Sequence, residues 1–240
     1  MEDYFGLFLT LSKKTLICIL AAVIAGCAAG ASVAISAAGA KNENGKYIIV
    51  IDAGHGGSDG GMEGRIFGTR ESDINLYISR MLCHYLKKNG YKVIMTRNAD
   101  ITLSDGKTQN KKLSEMKKRA EIIKNSGADL FISIHQNFYS DSSRRGAQVF
   151  FYSEKDKNFA SAVQNKLNSM KEASRECEIL YGDYFVLKQA DFPACIVECG
   201  FLSNAEDERL LIEESYREKL ASAIFCGTLE YLTGAGEKNA

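Results

Sequence analysis

Tyr47-Ile48-Ile49-Val50-Ile51-Asp52 runs directly into Ala53-Gly54-His55-Gly56-Gly57. Five apolar residues in succession, four of them β-branched, show no inside–outside alternation. They read as a strand buried on both faces, the pattern of a parallel sheet covered by helices. The glycines that follow end the strand in a loop.

Strand and helix patterns alternate outward from this point. Residues 71–89 carry Ile74, Tyr77, Ile78, Met81, Leu82 and Tyr85 at spacings of three and four, with Gly90 closing the helix. Further strands are expected at 91–96, 129–135, 147–152 and 194–198, and further helices at 113–125, 155–170 and 206–232, the last with a break near Ser215. This alternation implies an α/β fold: one domain with a twisted, mostly parallel sheet and helices on both faces.

The 240 residues suffice for one domain with a full core and a short appendage. Thirty basic residues balance thirty acidic ones, so no net basic field exists to attract nucleic acid. The basic cluster from Lys111 to Arg119 reads as the solvated face of a helix. Seven cysteines form no CxxC pair, which argues against a cysteine-type zinc site and against a disulfide framework. Cys195 and Cys199 are expected to share one face of a strand.

Residues 15–40 contain no charge and follow Lys13 and Lys14. The length of this apolar run favours an uncleaved, membrane-anchoring hydrophobic helix with the N-terminus in the cytoplasm. A cleaved signal peptide ending at Ala38-Gly39-Ala40, or lipidation of Cys27 within Ile24-Ala25-Gly26-Cys27, are the alternatives. Each exports the remainder. The expected organisation is a leader over 1–40, a linker over 41–46, a catalytic domain over 47–233 and a tail over 234–240.

Four polar residues stand at equivalent places. His55 follows the first strand, Glu71 opens the first helix, His135 ends the 129–135 strand, and Glu198 ends the 194–198 strand. Ligands of open α/β sheets bind beyond the carboxyl ends of the strands. Two histidines and one carboxylate make a catalytic zinc set that leaves a position for water. A second, free carboxylate can carry the proton to a leaving nitrogen. Each residue alone also has a plain structural reading: a hydrogen-bonded histidine, a helix-start glutamate, an ion-paired buried glutamate. His84, in mid-helix, reads as structural. The glycines at 54, 56, 57, 60 and 61 do not form G-x-G-x-x-G, because Asp59 interrupts it, and no phosphate-binding G-x-x-x-x-G-K-[ST] is present. They read as backbone freedom close to a substrate.

IVIDAGHGGSDGG (Ile49 to Gly61), ESDINL (Glu71 to Leu76), VIMTR (Val93 to Arg97), DLFISIHQN (Asp129 to Asn137), GAQVFFY (Gly146 to Tyr152) and PACIVECGFLSN (Pro193 to Asn204) together resemble the zinc-dependent N-acetylmuramoyl-L-alanine amidases. The resemblance implies zinc ligation by His55, Glu71 and His135, with Glu198 as the catalytic carboxylate and peptidoglycan as substrate. On this reading Asn137 touches substrate, and Ser133, two residues before His135 on the same face, supports the metal site. Ala53 stands where proline is common, and Phe138 where a small residue often follows, which would narrow the groove. One domain behind a hydrophobic leader resembles the germination-specific, spore-cortex branch, and an exported accessory protein is a further expected partner. A zinc peptidase cutting within the stem peptide and a non-catalytic wall-binding module are the competing readings.

Overall fold

The computed structural model describes residues 47–104 and 110–237. The expected leader and linker, with Cys18 and Cys27, lie outside the described residues. Among the described residues five helices and six strands follow one another as β1 (Ile48–Ala53), α1 (Glu71–Lys88), β2 (Lys92–Met95), α2 (Lys111–Asn125), β3 (Leu130–Asn137), β4 (Gln148–Phe151), α3 (Glu154–Asn168), β5 (Leu180–Tyr181), β6 (Ala194–Phe201), α4 (Ala205–Ile212) and α5 (Glu214–Glu237). The anticipated break in the last helical stretch falls at Glu213, and α5 continues past Leu232 to Glu237. Among the described residues no helix is long and apolar enough to cross a membrane.

The strands form one sheet in the order β2-β1-β3-β6-β4-β5. β1, β2, β3 and β6 run parallel, while β4 runs antiparallel to β6. Ile49, Ile51, Ile132, Ile134 and Val197 are fully buried under α1, α3 and α5 on one face. Val50, Phe131 and Ile196 face the other side, with Ile123 and Met116 of α2 and the turn around Leu187. The uninterrupted apolar run of β1 is thus explained: both of its faces are covered. Cys195 and Cys199 share the first of these cores, as their spacing requires.

From β1 the chain crosses to β2 on one side and later returns to β3 on the other. The strand order therefore reverses beside β1, and such a switch point opens a crevice at the carboxyl ends of the strands. His55 leaves β1 there, and His135 lies near the end of β3.

Candidate metal centre

Glu71 is the first residue of α1 and is 2% exposed. Its Oε1 lies 2.9 Å from Nδ1 of His135 and 3.2 Å from Nε2 of His55. The same oxygen accepts the Gln136 N–H at 3.1 Å and the Asn75 amide at 3.3 Å, while Oε2 accepts the Met62 N–H at 2.9 Å. One donor atom from each of His55, Glu71 and His135 falls within 4.8 Å of the other two. For His55 and Glu71 burial works against charge, but attraction to their neighbours outweighs it. His55 rises to about 9 because of the Glu71 carboxylate and, after it, Asp59. Glu71 is held far below the usual carboxylate range by His135 and His55. Two imidazoles gathered on one buried carboxylate form a set of nitrogen and oxygen donors suited to a divalent cation of zinc's type.

The backbone supports this gathering. His55 adopts a left-handed conformation, φ 60°, which is uncommon outside glycine. It is held by Arg119, whose Nη2 donates to the His55 carbonyl at 2.8 Å, and by the paired Gly56 and Asp59 backbones beyond it. A Cβ on Gly54 would stand 2.3 Å from the His135 ring, so only glycine lets that ring approach. The β3–β6 register shifts just after His135, and the freed Gln136 N–H turns to Glu71.

Glu198 lies beside His135 in register on the adjacent strand β6. It is buried, and its Oε2 has no hydrogen-bond partner. Burial pushes its carboxyl up to about 7; the histidines lower it only in part, and Glu71 adds to the rise. Glu198, His55 and His135 share a cleft of about 330 Å³. One wall is polar, with Lys112, Glu115 and Arg119; the other is apolar, with Tyr184, Phe185 and Val186.

Residues 49–229 match the family described as N-acetylmuramoyl-L-alanine amidase. The chain belongs to this amidase family. It is 34% identical over 197 residues to the germination-specific N-acetylmuramoyl-L-alanine amidase of Bacillus subtilis (strain 168), covering 79% of this chain and 81% of the relative. The CwlD amidase of Clostridioides difficile, solved in complex with the GerS lipoprotein, superposes with a TM-score of 0.76 at 36% identity, over 79% of this chain and 100% of that one. An N-acetylmuramoyl-L-alanine amidase from Clostridium difficile 630 gives a TM-score of 0.71 at 31% identity, over 79% and 98%.

Within this amidase domain all four residues singled out from the sequence stand around one cleft: His55, His135 and Glu198 line it, and Glu71 holds the two histidines from beneath. Ser133 donates to Asp52 Oδ2 at 2.8 Å rather than to a member of the trio. The Asn137 side chain accepts its neighbour's N–H at Phe138, beyond the register shift, and is not among the residues lining the cleft. Phe138, expected to narrow the groove, packs against the core with Arg65 over its ring. The basic cluster is only partly a solvated face: Lys117 and Lys118 are exposed, but Arg119 is 4% exposed and ion-paired with Asp52.

Two side chains escaped the sequence reading. Asp59 holds His55 Nδ1 at 2.8 Å, leaving Nε2 for a cation. Arg97, buried, donates to the carbonyls of Ala53, Gly54 and Ser72 and so ties β1 to the start of α1. Asp59 had one available signal, its i+4 spacing from His55 in a tight glycine loop. Arg97 had none beyond its place at the end of a strand.

Proposed function

We propose that this chain hydrolyses the amide bond between N-acetylmuramic acid and L-alanine in peptidoglycan, with His55, Glu71 and His135 holding a zinc ion and Glu198 carrying the proton. The observation that carries the proposal is the pairing, in one cleft, of a His–Glu–His cluster with a buried carboxylate that has an unpartnered oxygen and is raised to about 7. Bound zinc would polarise the amide carbonyl and acidify the attacking water. Glu198 then takes a proton from that water and returns it to the departing nitrogen of L-alanine. Asp59 keeps the His55 ring oriented, and Asp52 and Arg119 hold the backbone from which that ring projects.

The setting follows the Bacillus subtilis relative, which is named germination-specific. The proposed site of action is outside the cytoplasm, where peptidoglycan lies, at the wall or spore cortex. The apolar run over residues 15–40 would then act as export signal or membrane anchor. An exported accessory protein is proposed as partner, because the CwlD amidase was solved with the GerS lipoprotein.

Purified full-length chain, zinc-loaded or treated with chelator, would be incubated with peptidoglycan. Free lactyl ends on the sugar and free N-terminal alanine on intact stem peptides are expected, only with zinc. Glu198→Gln should keep its zinc and lose about two to four orders of magnitude in rate. Shortened stem peptides would identify a peptidase instead. Binding without products would identify a wall-binding module.

A further inference from the structure

Glu208 of α4 is fully buried, yet its hydrogen bonds run to a loop on the far side of Glu71 in the sequence. Its Oε2 accepts the Ile66 N–H at 2.7 Å, and its Oε1 accepts the Phe67 N–H at 2.8 Å, with the Thr69 N–H and hydroxyl more distant at 3.5 and 3.4 Å. The loop, residues 62–70, is closed at its base by an antiparallel backbone β-bridge between Glu63 and Arg70 and by Gly64 N–H donating to the Thr69 carbonyl at 2.9 Å. Its tip is not held by apolar burial, since Ile66 is 60% and Phe67 53% exposed. The carboxylate of Glu208 and the Arg65 N–H bond to the Leu202 carbonyl, 3.1 Å, tie it to the segment that follows β6.

The base of the loop is joined to Glu71 twice. The Glu71 N–H donates to the Met62 carbonyl at 2.9 Å, and the Met62 N–H donates to Glu71 Oε2 at 2.9 Å. Movement of Met62 therefore moves both the backbone and the carboxylate of Glu71. Gly64 lies against the same device: a Cβ there would sit 1.8 Å from Glu208 Oε1.

We propose that Glu208 is a positioning residue for the metal centre, acting through the loop of residues 62–70 to fix the carboxylate of Glu71. The inference rests on Glu71 being a metal ligand. Outer hydrogen-bond partners of metal ligands commonly govern affinity about 10- to 100-fold. Glu208 governs it at one further remove, and the chain of hydrogen bonds is short and buried at Glu208 itself.

Zinc affinity of the full-length chain, measured by competition with a chelating indicator, tests the proposal. Glu208→Gln keeps side-chain length but turns an amide NH₂ toward either Ile66 or Phe67, both of which offer only N–H. The zinc dissociation constant should rise about tenfold or more. Gly64→Ala leaves the carboxylate chemically intact and displaces it, so it should act in the same direction and decides the matter if Glu208→Gln fails to fold. In a Glu71→Gln background, already weakened, adding Glu208→Gln should change the zinc affinity no further. Unchanged affinity in Glu208→Gln and Gly64→Ala would overturn the proposal, as would a full additional loss on Glu71→Gln. Unchanged affinity in Glu71→Gln alone would instead sink the reading of Glu71 as a ligand.

Discussion

Asp52 stands one residue before the end of β1 and Glu198 in the middle of β6, which runs on to Phe201 beyond the end expected at 198; both are buried and both face the same cleft. Their environments are opposite. Asp52 is saturated: Thr96 donates to Oδ1 at 2.6 Å, Ser133 to Oδ2 at 2.8 Å, and Arg119 forms an ion pair with it. Burial alone would raise its carboxyl, but the Arg119 charge and then His135 hold it below the ordinary value. Glu198 has an oxygen with no partner, and burial leaves it near 7. One carboxylate is locked in its charged form and serves as scaffold, because its Arg119 also grips the His55 carbonyl. The other is pushed toward its neutral form, as the proton-carrying role proposed for it requires. Hydrogen-bond partners fix a protonation state, and their absence frees it.

The contrast is broken most directly at Asp52. Asp52→Ala leaves the Arg119 guanidinium buried without its carboxylate, and should cost about 3–5 kcal/mol of folding stability in urea denaturation. A loss under about 1 kcal/mol would mean that the pair is not the scaffold described.

A smaller effect of opposite sign is expected at Glu198. Its folded value, about 7, lies above the ordinary 4.5. The charged form is therefore disfavoured by folding, and the penalty is absent below the unfolded value and complete above the folded one. Glu198→Gln should stabilise the chelator-treated protein by up to about 3 kcal/mol at alkaline pH, with the gain fading as pH falls from 7 toward 4.5. A pH-independent gain, or a loss at alkaline pH, would show that Glu198 is partnered after all.

The smallest effect should lie at Asp59, which is paired with His55 but has a 39% exposed side chain. Asp59→Asn should weaken zinc binding by about tenfold, the low end for partners of this kind, because solvent already screens the pair. A change of more than about a hundredfold in equilibrium competition would place Asp59 among the ligands.

Much of this was legible in the chain. β1, α1 and β3 announce themselves by apolar runs or by three-and-four spacing, and their burial follows that pattern. β5 has only two residues, both exposed, and carries no periodic signal to read. The reversed direction of β4 had a sign that was passed over. No helix separates β3 from β4, and a parallel return needs a crossover of about a dozen residues or more, usually helical. Asn137 follows from counting two residues on from His135; β3 does run to Asn137, and the extra residue at the register shift lies on β6.

The sequence by itself determined the layered α/β arrangement and the placement of His55 just after β1, of His135 and Glu198 within β3 and β6, and of Glu71 at a helix start, because periodicity is a local property of the chain. Only the tertiary structure decided what each polar group meets. Arg119 is 67 residues from Asp52, and Glu208 is 142 from Ile66; nothing local relates them. A protonation state depends on burial and on neighbours gathered from distant segments. Asp52 as a fixed charge and Glu198 as a raised carboxyl with an unpartnered oxygen are therefore outcomes of packing, although both begin as one acidic residue after an apolar run.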